Sequence, residues 1–157
     1  EKGFDTLIKG FKTSQHEGYK LIIAGGVEFE SGYMEKLKKL SSDDVIFTGY
    51  VYGDKLAQLY TNAALFVLSS NNEGFPLVIL EAMSYKIDVL VSDIPASHLV
   101  KLDKDNYFPK GDDKSLAGKI SKRLEDPKKR TYELSKYNWQ AVAEKTAEVF
   151  EAAFQKR

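Results

Sequence analysis

Four short runs of consecutive apolar residues punctuate the chain: Leu21-Ile22-Ile23-Ala24, Val45-Ile46-Phe47, Ala64 to Leu68, and Val89 to Val91. Runs of this kind read as strands buried on both faces. A shorter fifth, Tyr107-Phe108, stands ahead of Pro109 and Gly111. Between the runs, apolar residues recur at helical spacing. Gly3 to Phe11 puts Phe4, Leu7, Ile8 and Phe11 on one face. Ser31 to Leu40 does so with Tyr33, Met34, Leu37 and Leu40, and Asp54 to Asn62 with Leu56, Leu59 and Tyr60. Asp54 is expected to cap its helix. Ser115 to Leu124 aligns Leu116, Ile120 and Leu124, and Pro127 ends that helix. Two further helices are expected, Lys128 to Lys136 and Trp139 to Phe154, with Asp126 to Arg130 a solvated turn and helix start. Alternating strands and helices predict an α/β fold, a Rossmann-like doubly wound parallel sheet with helices on both faces. No repeat or internal linker interrupts it, so residues 1–157 read as a single domain.

Composition narrows the picture. The chain has 157 residues, 43% hydrophobic and 29% charged, which is globular. It carries 23 basic and 23 acidic residues. That balance argues against a sequence-independent grip on nucleic acid. There is no cysteine, hence no disulfide framework and no thiol nucleophile. No apolar run approaches the roughly 18 residues that span a bilayer. The first residues, Glu1-Lys2-Gly3, lack a methionine, so a fragment of something longer is expected.

Several chemistries are excluded by motif. The two histidines, His16 and His98, lie far apart, without the pairing of a zinc hydrolase. Neither a Gly-x-Ser-x-Gly elbow nor a phosphate-binding Gly-x-x-x-x-Gly-Lys loop occurs. Gly25-Gly26 follows a strand, but the dinucleotide fingerprint is absent. What remains is the stretch from Ser69 to Asp93. A strand runs into a polar loop holding Glu73, Gly74 and Pro76, then into a helix starting near Pro76 or Leu77. The start of that helix offers unpaired N–H groups and a positive dipole end, which favour a diphosphate. Gly74 lets a ligand approach the backbone closely. Glu73 suits neutral sugar hydroxyls better than phosphate. Glu81 lies in the apolar run Leu77 to Met83, and a buried carboxylate there needs hydrogen-bond partners such as a ribose diol. The plainer alternative is that Glu73 caps the helix and Glu81 faces solvent.

Glu73-Gly-Phe-Pro-Leu-Val-Ile-Leu-Glu81 resembles the Glu-x7-Glu motif of retaining glycosyltransferases of the GT-B fold, group 1. The likeness covers nearly the whole chain. Lys2-Gly3-Phe4-Asp5-Thr6-Leu7-Ile8 is similar to the Lys-Gly-x-Asp-x-Leu-Ile segment of that family's C-terminal, donor-binding domain. Leu21 to Gly25 is similar to its Ile-x-Gly strand, and Val45 to Gly49 to its Val-x-Phe-x-Gly strand. Ala63 to Ser70 is similar to Ala-Asp-x-x-x-x-Pro-Ser, with Ala64 and Ser69 departing. Val91-Ser92-Asp93 is similar to Val-x-Ser-Asp, and Trp139 with the last helix to a Trp-x-x-x-Ala ending.

The resemblance implies transfer of a sugar from a nucleotide-diphosphate donor to an acceptor hydroxyl, with configuration retained and no obligatory metal or other cofactor. Glu81 is then expected on the ribose, Glu73 on the transferred sugar, and Lys2 on the donor phosphates. Backbone amides of Phe75, Leu77 and Val78 are expected at the sugar and diphosphate, with Gly74 and Gly25 counted among the donor-binding residues. Thr48 to Val51 is expected near the base through backbone contacts, with stacking by Tyr50 as the alternative contact. An N-terminal acceptor domain of the same polypeptide is implied as partner, with residues 139–154 packing against it. A cytoplasmic location is implied, with peripheral membrane association through the missing half. The fragment alone is expected to be inactive. A GT-B epimerase or phosphorylase domain, or a non-catalytic α/β interaction module, stays open. Departures from the family pattern stand at Pro76, which removes one amide donor, at Lys86-Ile87-Asp88 in place of a Gly-x-Pro turn, and at His98 in place of a glutamate.

Overall fold

The structure, a computed structural model, describes residues 1–26 and 32–154. The predicted α/β alternation is what it shows: α1 (Phe4–Thr13), β1 (Leu21–Ala24), α2 (Gly32–Leu40), β2 (Val45–Gly49), α3 (Gly53–Asn62), β3 (Leu65–Leu68), α4 (Leu77–Ser84), β4 (Asp88–Asp93), β5 (Tyr107–Pro109), α5 (Asp113–Glu125) and α6 (Trp139–Phe154). Ser31, the expected first residue of α2, lies outside the described residues. All three strand pairs are parallel: β1 with β2, β3 with β4, and β4 with β5. They form two separate sheets, β1-β2 and β3-β4-β5, rather than one.

Side-chain alternation along β4 builds a core on each face. Leu90 joins Leu7, Ile8 and Phe11 of α1, Leu37 of α2, Phe108, and Leu116 and Ile120 of α5. Val89 and Val91 point the other way, to Ile79, Ala82 and Met83 of α4. Each such fully buried side chain contributes about 1.5–3 kcal/mol. Gly3 precedes α1 with φ 63°, and a Cβ there would run into the Ser69 carbonyl. Only glycine lets α1 start this close to the end of β3.

The turn after α4 answers the Lys86-Ile87-Asp88 departure. Lys86 has φ 59°, the one non-glycine with positive φ among the described residues. Its N–H donates to Met83 O at 2.9 Å, and the Ile87 N–H to Ala82 O at 3.2 Å. This is a Schellman ending, with buried Ile87 as its hydrophobic partner. An L-residue in that conformation is strained by about 1–2 kcal/mol. Lys86→Gly is therefore expected to stabilise the chain by about 0.5–1 kcal/mol, the rest being lost to the freer unfolded chain. A urea unfolding midpoint that falls instead would show that the lysine side chain is packed.

Three expectations need correction. Lys128 to Lys136 is not helical. The segment is held in an irregular path by tertiary bonds: Arg130 N–H to Lys86 O at 2.8 Å, Tyr132 Oη to Ile87 O at 2.9 Å, and Arg130 Nη2 to Asp88 Oδ2 at 3.2 Å. Arg130 is thus not simply solvated. Asp54 is not the N-cap of α3, which begins one residue earlier, after Tyr52. Its carboxylate sits in the first turn, where the helix dipole still favours it.

Candidate functional site

Between β3 and α4 the chain crosses the C-terminal ends of the strands. Ser69 and Ser70 are buried there, and their polar atoms bind the loop down. Ser92 Oγ of β4 donates to Ser70 O at 2.5 Å, and Ser69 Oγ to Lys2 O at 2.9 Å. The Asn71 N–H donates to Glu1 O at 2.7 Å. The N-terminal residues and the β3–α4 loop are thereby one unit.

Glu73 is the centre of this unit. Lys2 Nζ lies 2.8 Å and Ser70 Oγ 2.7 Å from the same atom, Oε1. Oε2 takes no protein donor among the described residues. Partial burial raises the pKa of Glu73, but the bonds from Lys2 and Ser70 outweigh it and hold the carboxyl below its ordinary value. Glu73 caps nothing: the residue ahead of α4 is Pro76, without a side-chain cap.

At the start of α4 the Leu77 N–H donates to Phe75 O at 3.0 Å. Of the amides expected to face a ligand, this one is already engaged. The Phe75, Leu77 and Val78 side chains are exposed. Glu81, one turn on, is also exposed rather than buried among its apolar neighbours. It has a partner all the same: Tyr60 Oη of α3 donates to Glu81 Oε2 at 2.9 Å. Burial, then the bond to Glu81, pushes the Tyr60 phenol pKa well up. Its ring stacks on Tyr85 at 5.1 Å. Sequence reasoning placed Tyr60 on the core face of α3, which its ring satisfies, and missed the hydroxyl. Ser70 was missed too. A polar residue at the C-terminal end of an apolar strand was the available signal for it.

Gly25 and Tyr50 stand at the ends of β1 and β2. The Gly25 N–H donates to Gly49 O at 2.9 Å. Tyr50 lies against Gly26, where a Cβ would come within 2.5 Å of its ring. A cavity of about 1870 Å³ joins these places. Lys2, Glu73 and Glu81 line it, as do Phe75, Leu77, Val78, Gly25 and Tyr50. Gly74 is not among the lining residues. Nor is His98, which is exposed, bonded to Asp93 Oδ1 at 2.7 Å and stacked on Tyr107 at 4.4 Å. Among the described residues no group of three or more His, Asp or Glu could hold a metal ion, and no helix is long and apolar enough to cross a membrane. The arrangement offers carboxylates for hydroxyl groups, one ammonium for an anion, and exposed aromatic rings for stacking.

Comparison with known proteins adds four matches. The family described as glycosyl transferases group 1 matches residues 1–140. An uncharacterized glycosyltransferase of Methanocaldococcus jannaschii is 32% identical over 99% of this chain and 43% of its own length. The capsular polysaccharide biosynthesis glycosyltransferase CapM of Staphylococcus aureus is 30% identical over 80% of this chain and 34% of its own. Among solved structures, sucrose-phosphate synthase from Thermosynechococcus elongatus superposes with a TM-score of 0.76 at 25% identity, covering 99% of this chain and 43% of that one. The chain thus spans less than half the length of these relatives.

Proposed function

The chain belongs to the glycosyl transferases group 1 family, and from that premise we propose that it is the donor-binding half of a retaining glycosyltransferase. The observation that carries the reading is the joint placement of Glu73 and Glu81 on one cavity, with Lys2 bonded to Glu73. In this reading a nucleotide-diphosphate sugar lies across the start of α4. Its ribose hydroxyls bond to Glu81 and its sugar hydroxyls to Glu73. Its diphosphate meets Lys2, which exchanges Glu73 for phosphate, and the free amides of Phe75 and Val78. Leu77 contributes its position and not its N–H. The base lies toward Gly25 and Tyr50. Charge on the leaving diphosphate is taken up by Lys2 and the helix end, without a metal.

The acceptor site belongs to a second domain of the longer polypeptide. The exposed face of α6 supports such a domain: Trp139, Val149, Phe150 and Phe154 are 82%, 67%, 65% and 78% accessible. Contiguous exposed apolar side chains of this size mark an interaction surface. The complete enzyme acts in the cytoplasm, and the isolated chain turns over no donor.

Donor titration of the complete polypeptide tests the reading. Among UDP-, GDP- and ADP-sugars, one is expected to bind, and Glu81→Ala is expected to weaken it by about tenfold or more. A hydrogen bond to a charged group contributes about 1.5–3 kcal/mol, which is that factor. Unchanged affinity in Glu81→Ala, or no binding of any of the three, overturns the assignment.

A further inference from the structure

We propose that Tyr60 is a positioning residue of the donor site: its hydroxyl pins one carboxylate oxygen of Glu81 and leaves the other free for the donor's ribose. This role rests on the assignment of Glu81 to the ribose, and it supplies the group that holds Glu81 in place.

Glu81 needs such a group. It stands exposed on α4, where a glutamate side chain is free to swing into water. Ordering a side chain of that kind when a ligand arrives lowers affinity by about two- to tenfold. No ion pair restrains it among the described residues. Tyr60 Oη donates to Oε2 at 2.9 Å, and Oε1 takes no protein donor among those residues. A tyrosine hydroxyl gives a single proton, so Oε2 keeps one accepting lone pair and Oε1 keeps both. The carboxylate is thus fixed without being used up.

Tyr60 is itself fixed. It lies in the last turn of α3, and its half-buried ring packs on the core beneath α4. The ring stacks on Tyr85 at 5.1 Å with 17° between the planes, and tilts against Phe66 of β3 at 6.2 Å. Tyr85 follows Glu81 by four residues and so shares its side of the helix. One side chain therefore ties α3 to α4 twice, by its ring to Tyr85 and by its hydroxyl to Glu81. Tyr60 and Glu81 both line the donor cavity, while Tyr85 does not. The supporting stack lies behind the pair and the hydroxyl bond lies at the cavity wall. Burial, then the bond to Glu81, raises the phenol pKa, so the hydroxyl keeps its proton and remains the donor at neutral pH. A tyrosine needed only for packing would be served by its ring alone, which phenylalanine supplies equally.

A double-mutant cycle in the complete polypeptide tests the role, by titration with UDP-glucose, GDP-mannose and ADP-glucose. Tyr60→Phe keeps the ring and its stack, and the urea midpoint checks that the fold is retained. Against the wild-type background it is expected to weaken the preferred donor by about two- to tenfold, in KM rather than in kcat. Against Glu81→Ala the same substitution is expected to change nothing, because the hydroxyl acts only through the carboxylate. Unchanged or tightened binding in Tyr60→Phe, where Glu81→Ala weakens it, would overturn the role of Tyr60 and leave the donor site standing. Equal losses in both backgrounds would also overturn it, making Tyr60 a direct donor contact or a packing residue. Unchanged affinity in Glu81→Ala, or no binding of any of the three sugars, would remove the assignment of Glu81 and the role of Tyr60 with it.

Discussion

Asp88→Ala is expected to lower the stability of the chain by about 3 kcal/mol, the lower end of the range for breaking a buried ion pair. Asp88 opens β4 with its side chain 4% accessible. Its Oδ2 accepts from Arg123 Nη1 at 2.6 Å and Arg130 Nη2 at 3.2 Å. Without the carboxylate, Arg123, 13% accessible, is left as an uncompensated buried cation. Arg130, 42% accessible, can turn to water, which is why the upper end of the range is not reached. Asp88→Asn keeps an acceptor but loses the charge, and should fall between wild type and Asp88→Ala. Urea unfolding measures both, and a loss under about 1 kcal/mol for the alanine would refute the argument. Tyr132 gives a second readout. Burial, then the Asp88 carboxylate, pushes its phenol up to about 12. A raised acid stabilises the fold below its ordinary pKa of about 10 and loses that contribution as pH rises from there to about 12. In Asp88→Ala the phenol should titrate lower, which absorbance near the phenolate band detects.

That cluster also marks where sequence reasoning stopped. Strand positions were legible because a parallel strand buried on both faces is an uninterrupted apolar run, and Val89 to Val91 could not be mistaken. Lys128 to Lys136 was misjudged because local spacing suggested a helix. Its path is set by Asp88, Lys86 and Ile87, about forty residues away, whose contacts leave no local periodicity. Lys86 was recognised as an unusual turn residue, yet its left-handed conformation depends on buried Ile87 closing the Schellman ending. The break in the sheet was invisible, since nothing in an apolar run names its neighbour. At the candidate site, resemblances in two separate stretches, one at the start of the chain and one near its middle, singled out Lys2 and Glu73. Their 2.8 Å contact across 71 positions exists only because Gly3 brings α1 against the end of β3. The burial expected for Glu81 failed for a simple reason. An apolar helix turn can still present one face to an open cleft, and there the carboxylate meets Tyr60 instead of needing a ligand.

In the complete polypeptide, Glu73→Gln is expected to lower kcat/KM for transfer by about 100-fold or more, with most of the loss in kcat. The size is that of removing one group that stabilises transition-state charge. In the proposed reading Glu73 sits at the reacting sugar, where positive charge develops, while Glu81 holds the distant ribose. A remote contact binds ground and transition states alike, so Glu81→Ala should act on KM and leave kcat nearly unchanged. Glutamine preserves the size of Glu73 and an acceptor for Ser70 and Lys2. Lys2 is 58% accessible, so loss of that ion pair should barely affect folding. The sign of the pH effect follows from the lowered pKa of Glu73. The charge, and any stability it confers, is complete above the ordinary glutamate value of about 4.3 and is lost only as pH falls through the lowered one. Activity that depends on this charge should therefore persist into mildly acidic solution in the wild type, while Glu73→Gln is depressed at every pH. Equal kcat in wild type and Glu73→Gln, or a loss confined to KM, would place the reacting sugar elsewhere in the cleft.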